Sequence, residues 1–224
     1  MDIELIEILE NCITDRRKDL LSSILNERTR YITVVLEDIY QSQNASAVLR
    51  TCDCFGIQDL HIIENNNEYK INPDVTLGSD KWLTLKQYRD NSDNSMAAIT
   101  ELKNNGYRIV ATTPEQKHTP MEDFDLAKGK IALCFGTELT GLSDTIKKIA
   151  DEFISIPMYG FTESFNISVS VAIILHHLTY RLRNSSISWK LNENDSLEVK
   201  LNWLKRSVKN SESILKKFYS DKNE

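Results

Sequence analysis

The sequence has 224 residues, 41% hydrophobic and 27% charged, which suits a globular chain with one sizeable core and helical additions. Its net charge of −6 argues against a general nucleic-acid coat, although residues 176–224 carry 10 Lys/Arg against 6 Asp/Glu and residues 1–175 carry 17 against 27. No apolar run approaches the roughly 18 residues of a membrane span, and MDIELIEILE interleaves acids with aliphatics unlike an export leader, so the expectation is a soluble, cytoplasmic protein with no membrane partner.

Aliphatics at helical spacing (Ile3, Ile6, Leu9, then Leu20, Leu21, Ile24, Leu25) predict one or two short helices in an N-terminal extension, residues 1–30. From Tyr31 the pattern changes. YITVVLE, DLHIIE, YRIVATT, KIALCFG and EFISIP are short β-branched or aliphatic runs bounded by polar residues or glycine, and each reads as a buried strand. Helical patterns lie between them: SQNASAVLRTCDCFG ending at Gly56, SDNSMAAITELKNNG ending at Gly106, and LSDTIKKIA. Strands alternating with helices predict an α/β fold with a parallel sheet over residues 31–183. After Asn166 comes one long apolar helix, ISVSVAIILHHLTYRLR, and residues 184–224 read as a polar linker followed by a single amphipathic helix containing Leu197, Leu201, Leu204, Val208 and Leu215. The four cysteines, Cys12, Cys52, Cys54 and Cys134, form no Cys-x-x-Cys pair and are expected to be reduced and mostly buried.

Several nucleotide chemistries are excluded by residues. A dinucleotide fold needs its glycines directly after the first strand, and here that strand runs into EDIYQSQNAS. A Walker loop needs Gly-Lys-Ser/Thr, and GTELTGLS lacks the lysine. Metal ligation has no matching spacing: His176 and His177 are adjacent, hence about 100° apart on a helix, while His61 and His118 lie in other segments.

Three polar constellations instead fall at predicted strand ends, where open α/β sheets place ligands: NASAVLR, FGTELTG and IPMYGFTESFNIS. Each residue also has an ordinary reading. Asn44 and Arg50 are six apart, about 240° net around a helix, so they share a face only if Asn44 is the N-cap. Arg50 reads equally as a salt-bridge arginine, Ser164 or Asn166 as the cap of the long helix, Glu138 as a solvated loop acid, and Gly136 and Gly141 as turn glycines.

In their joint order, QNASAVLRTCDCFG, IALCFGTELTGLSD and IPMYGFTESFNISVSVAIIL resemble motifs 1, 2 and 3 of the TrmH (SpoU) group of SPOUT RNA 2'-O-ribose methyltransferases, and TLGSDKWL resembles another segment typical of it. The resemblance covers roughly Tyr31 to Arg183. The flanking helices resemble those of the short-tailed enzymes that modify the tRNA D-loop, with guanosine 18 as the implied target; a ribosomal RNA methyltransferase and a catalytically inactive RNA-binding knot are the alternatives. The resemblance implies a deep trefoil knot in the C-terminal part of the sheet, an exception to the rule against knots. It implies S-adenosylmethionine bound in a bent shape, with Thr112, Gly136, Ile156 and Phe165 contacting it, and no metal. It gives Arg50 the role of catalytic base, with Asn44, Glu138, Ser164 and Asn166 in support. Arginine is a poor base on general chemical grounds, which makes positioning of the 2'-hydroxyl an equally good role for Arg50. It further implies a homodimer. Arg16, Arg17, Lys18, Arg28, Arg30, Lys205, Arg206 and Lys209 are expected to converge there as the RNA surface.

Overall fold

The computed structural model describes residues 3–114 and 119–222. The chain divides into two compact units, residues 29–189 and a second unit made of residues 1–28 with 190–224.

The second unit begins with α1 (Ile3–Glu10) and α2 (Asp15–Leu25), the latter capped by Thr14, whose side chain accepts from Arg17 N. The larger unit follows with β1 (Ile32–Glu37), α3 (Ser42–Cys54), β2 (Asp59–Ile63), α4 (Pro73–Thr76), β3 (Thr84–Tyr88), α5 (Asn94–Asn104), β4 (Arg108–Thr112), β5 (Thr119–Pro120), β6 (Ile131–Phe135), α6 (Asp144–Ile149), β7 (Glu152–Ser155) and α7 (Ile167–Arg183). The chain then returns to the second unit through α8 (Glu193–Ser207) and α9 (Ser211–Asp221).

Among the described residues the strands form a seven-stranded sheet in the order β3-β2-β1-β6-β4-β7-β5, parallel throughout. Strands β1 and β6 are buried along their whole length and pair in register from Ile32↔Ile131 to Leu36↔Phe135, as expected of central strands covered on both faces. The two-residue alternation divides the core. Val34, Leu36 and Leu133 pack with Val48 and Leu49 of α3 and Val171, Ile174 and Leu178 of α7. Val35, Ala132 and Cys134 point the other way and pack with Ile99 and Leu102 of α5 and Ile146 of α6.

The five strands expected from sequence are all present. Strand β3 was missed because its sequence, TLKQY, exposes Lys86 and Gln87 at the sheet edge and so carries no continuous apolar run. The last helix is corrected to two: Val208 is extended and Asn210 is left-handed (φ 61°), a conformation Asn tolerates, so α8 ends and α9 begins anew. The cysteines are free, but only Cys52 and Cys134 are buried; Cys12 and Cys54 are exposed. Among the described residues no helix is long and apolar enough to cross a membrane. Within the second unit, Leu5, Leu9, Leu21, Val199, Trp203, Leu204 and Phe218 are buried, and the Arg28 guanidinium lies 5.2 Å from the Trp203 ring centroid.

Candidate active site

The C-terminal ends of β4, β6 and β7 open into a cavity of about 420 Å³. Thr112 at the end of β4 and Thr113 just after it line it, with residues 136–142 from the loop after β6, and Ile156, Met158, Ser164 and Phe165 from the segment after β7. Thr112 donates its hydroxyl to the Cys134 carbonyl at 2.8 Å, which ties the ends of two neighbouring strands together. Burial, reinforced by the nearby Glu37 carboxylate, pushes the Cys134 thiol well above its usual range, so it is an inert part of the sheet.

The loop after β6 is closed on itself. Thr137 N donates to Gly141 O at 3.1 Å and Gly141 N returns a bond to Thr137 O at 3.0 Å. The return strand passes so close that any Cβ on Gly136 would overlap the Gly141 carbonyl and the Leu142 nitrogen. Gly141 meets no such neighbour but sits at φ 67°, which disfavours a side chain for a different reason. Together the two glycines turn the loop back and leave Glu138 and Leu139 projecting at its tip.

Asn44 is not the cap of α3. Gln41 holds that position, and Asn44 is buried in the first turn. Its Nδ2 donates to Gln41 Oε1 at 3.1 Å and also to Glu138 Oε1. Its Oδ1 accepts from Asn166 Nδ2 at 3.2 Å. Asn166 is the cap of α7 as well, accepting from Ser168 N at 2.9 Å. The structure therefore joins Asn44, Glu138 and Asn166 in one chain of hydrogen bonds, each residue supplied by a different sequence stretch.

Arg50 lies further along α3, exposed, and among the described residues no hydrogen bond or ion pair holds it. The salt-bridge reading of Arg50 therefore fails among those residues. Glu138 and Ser164 line the cavity, whereas Asn44, Arg50 and Asn166 stand outside its wall. Thr112, Gly136, Ile156 and Phe165 all border it. Sequence reasoning missed Leu142, Lys147, Met158 and Glu163, which also line it. Leu142, Met158 and Glu163 lie within the quoted motif stretches and Lys147 within a helical pattern, so their neighbourhood was legible but nothing in the local sequence marked these particular side chains as wall residues.

The expected basic surface loses two members. Arg28 is 2% exposed, and Arg30 is paired with Asp59 at 3.1 Å, so neither is displayed to a polyanion. Among the described residues no group of three or more His, Cys, Asp or Glu side chains is placed to hold a metal ion, and His118 lies outside those residues.

A parallel sheet with a glycine loop and a cavity at its carboxyl edge, an amide–carboxylate chain anchored on the buried Asn44, and an exposed arginine with no partner among the described residues define an α/β protein with a small-molecule site at its strand ends. The SpoU rRNA methylase family matches residues 31–176. The chain is 47% identical over 209 residues to the tRNA (guanosine(18)-2'-O)-methyltransferase of Borreliella burgdorferi, covering 93% of this chain and 94% of that protein. It is 34% identical over 170 residues to the Aquifex aeolicus protein of the same name, covering 75% and 78%. The crystal structure of the A. aeolicus TrmH/SpoU tRNA modifying enzyme matches with a TM-score of 0.75 at 31% identity, over 90% of this chain and 99% of that one. The protein belongs to the SpoU methylase family.

Proposed function

We propose that this protein is an S-adenosylmethionine-dependent RNA 2'-O-methyltransferase whose target is the ribose of guanosine 18 in the tRNA D-loop. The observation that carries this reading is the 47% identity, along nearly the whole of both chains, to a relative named for that reaction. The cavity supports the cofactor. Its volume of about 420 Å³ falls among small-molecule sites. Its walls combine the apolar Leu142, Ile156 and Phe165 with loop backbone that Gly136 brings close. That set suits an adenosyl group carrying no phosphate.

When bound, S-adenosylmethionine supplies a methyl group activated by its sulfonium. The protein's own residues must then hold a ribose 2'-hydroxyl in line with that methyl and manage the proton of a weakly acidic alcohol. Arg50, unpaired among the described residues, offers its five donors to the developing alkoxide and the adjacent phosphate. Asn44 fixes the Glu138 carboxylate at the cavity edge, and Asn166 fixes Asn44.

The finer architecture belongs to the same proposal. Strand β7 pairs with both β4 and β5, so the chain returns between two strands already laid down, which supports a trefoil knot in this part of the sheet. Tyr159 and Phe161 are fully exposed before α7, and Val169 and Tyr180 are exposed along it; this much uncovered apolar surface supports a homodimer.

Methyl transfer from labelled S-adenosylmethionine should occur with a tRNA transcript and vanish when the ribose of residue 18 is 2'-deoxy. Transfer to ribosomal RNA in preference to tRNA would replace the substrate, and failure to bind the cofactor by calorimetry would favour an inactive RNA-binding protein.

A further inference from the structure

Glu37 closes β1, and its side chain is only 2% exposed. A carboxylate so buried is costly unless its lone pairs are met. They are met by donors from two helix starts. Ser143 gives its backbone N–H to Oε2 at 2.7 Å and its hydroxyl to Oε1 at 2.6 Å, and Ser95, in the first turn of α5, gives its hydroxyl to Oε1. Every contact is a donor, which suits an acceptor-only carboxylate.

Ser143 is where the cavity loop ends. It caps α6, accepting from Ile146 N at 3.3 Å, and it directly follows Leu142, a buried residue of the cavity wall. The start of that loop is fixed by the sheet through β6, but its exit is fixed by hydrogen bonds to Glu37. Ser95 in turn accepts from Asn65 Nδ2 at 2.8 Å, so the anchor extends to the loop after β2.

We propose that Glu37 is a positioning residue for cofactor binding, acting through Ser143 to hold Gly141 and Leu142 against the cavity. Glu37 does not line the cavity and touches no substrate; its effect is on the shape of the wall. The proposal rests on the reading of that cavity as the S-adenosylmethionine site.

The test compares Glu37→Gln with Ser143→Ala and Ser143→Thr in the full-length protein, measuring S-adenosylmethionine Kd by calorimetry, both KM values, kcat and thermal midpoint. Glutamine keeps the shape but presents an amide where three donors converge, so Glu37→Gln should raise the cofactor Kd and KM about tenfold. The KM for tRNA and the kcat at saturating cofactor should stay within about twofold of wild type. Ser143→Ala should shift Kd in the same direction, Ser143→Thr should restore it, and the Glu37→Gln/Ser143→Ala pair should be no worse than Glu37→Gln alone, because both act through one contact. Unchanged cofactor Kd in folded Glu37→Gln would overturn the proposal, as would parallel losses in every parameter with the thermal midpoint. If Glu37→Gln does not fold, the two Ser143 variants decide. A wild-type protein that does not bind S-adenosylmethionine would remove the cavity reading itself, whereas a binding wild type with an unaffected variant removes only the role of Glu37.

Discussion

Asn166 donates its side-chain amide to Asn44 Oδ1 at 3.2 Å across 122 residues of sequence, while its own Oδ1 caps α7 by accepting from Ser168 N at 2.9 Å. One side chain thus starts a helix and orients the residue that holds Glu138. The two tasks separate by substitution. Asn166→Ala should cost about 1 kcal/mol through the lost cap and should also reduce turnover. Asn166→Ser retains a capping oxygen but cannot reach Asn44, so denaturant unfolding should recover while methyl transfer stays low. Full turnover in Asn166→Ser would break the link between this hydrogen bond and catalysis.

Arg50 offers the opposite case, a residue whose loss should be silent in stability. It is exposed and has no partner among the described residues, so Arg50→Ala should change unfolding free energy by less than about 0.5 kcal/mol. Its expected loss of turnover is about 100-fold or more, the scale for removing one group that stabilises developing charge. Cofactor affinity should persist, because Arg50 does not line the cavity. Weakened cofactor binding with preserved turnover would assign Arg50 to the wrong half of the reaction.

The motifs made the family legible because they are short, ordered and tied to strand ends, and the central strands were legible because burial on both faces leaves continuous apolar runs. What escaped detection did so for local physical reasons. Strand β3 is an edge strand with a polar sequence, and β5 is two residues long. The break between α8 and α9 rests on an extended Val208 and a left-handed Asn210, which the recurring leucines on either side do not reveal. Asn44 looked like a helix cap because Asn is a preferred cap, yet the helix begins earlier, at Ser42, and frees that side chain to reach Glu138. Arg28 looked like a surface cation because burial against Trp203 leaves no trace in local pattern. Glu37 read as the polar end of a strand; its donors, Ser95 and Ser143, lie 58 and 106 residues away.

Gly136 and Gly141 occupy the same loop yet should respond differently to alanine. At Gly136 the added carbon would overlap backbone, which cannot yield without opening the loop, so Gly136→Ala should abolish measurable cofactor binding. At Gly141 nothing is in the way, and the penalty is a left-handed residue, about 1 kcal/mol. Gly141→Ala should therefore bind cofactor several-fold more weakly and remain active at higher concentration. Calorimetry on both variants checks the contrast, and equal losses would mean that the loop tolerates no side chain for some reason other than close approach.

His61 supplies a pH dependence that is separate from catalysis. Its Nδ1 lies 3.0 Å from the Tyr88 hydroxyl and its ring stacks on Tyr88, and burial holds its pKa down to about 4, with Glu101 opposing the shift and Lys86 adding to it. In the unfolded chain the same imidazole takes a proton near pH 6.5. Between those values the unfolded state binds more protons than the folded one, so stability falls as pH drops from 6.5 towards 4 and is unaffected by His61 above that window. The loss should reach about 1–3 kcal/mol at the acid end. His61→Gln removes the titration while keeping a polar partner for Tyr88, so its thermal midpoint should decline less between pH 7.5 and 4.5 than that of wild type. The carboxylates titrate in both proteins, and the difference between the two curves isolates the histidine. Superimposable curves would show that His61 is not held neutral in the folded state.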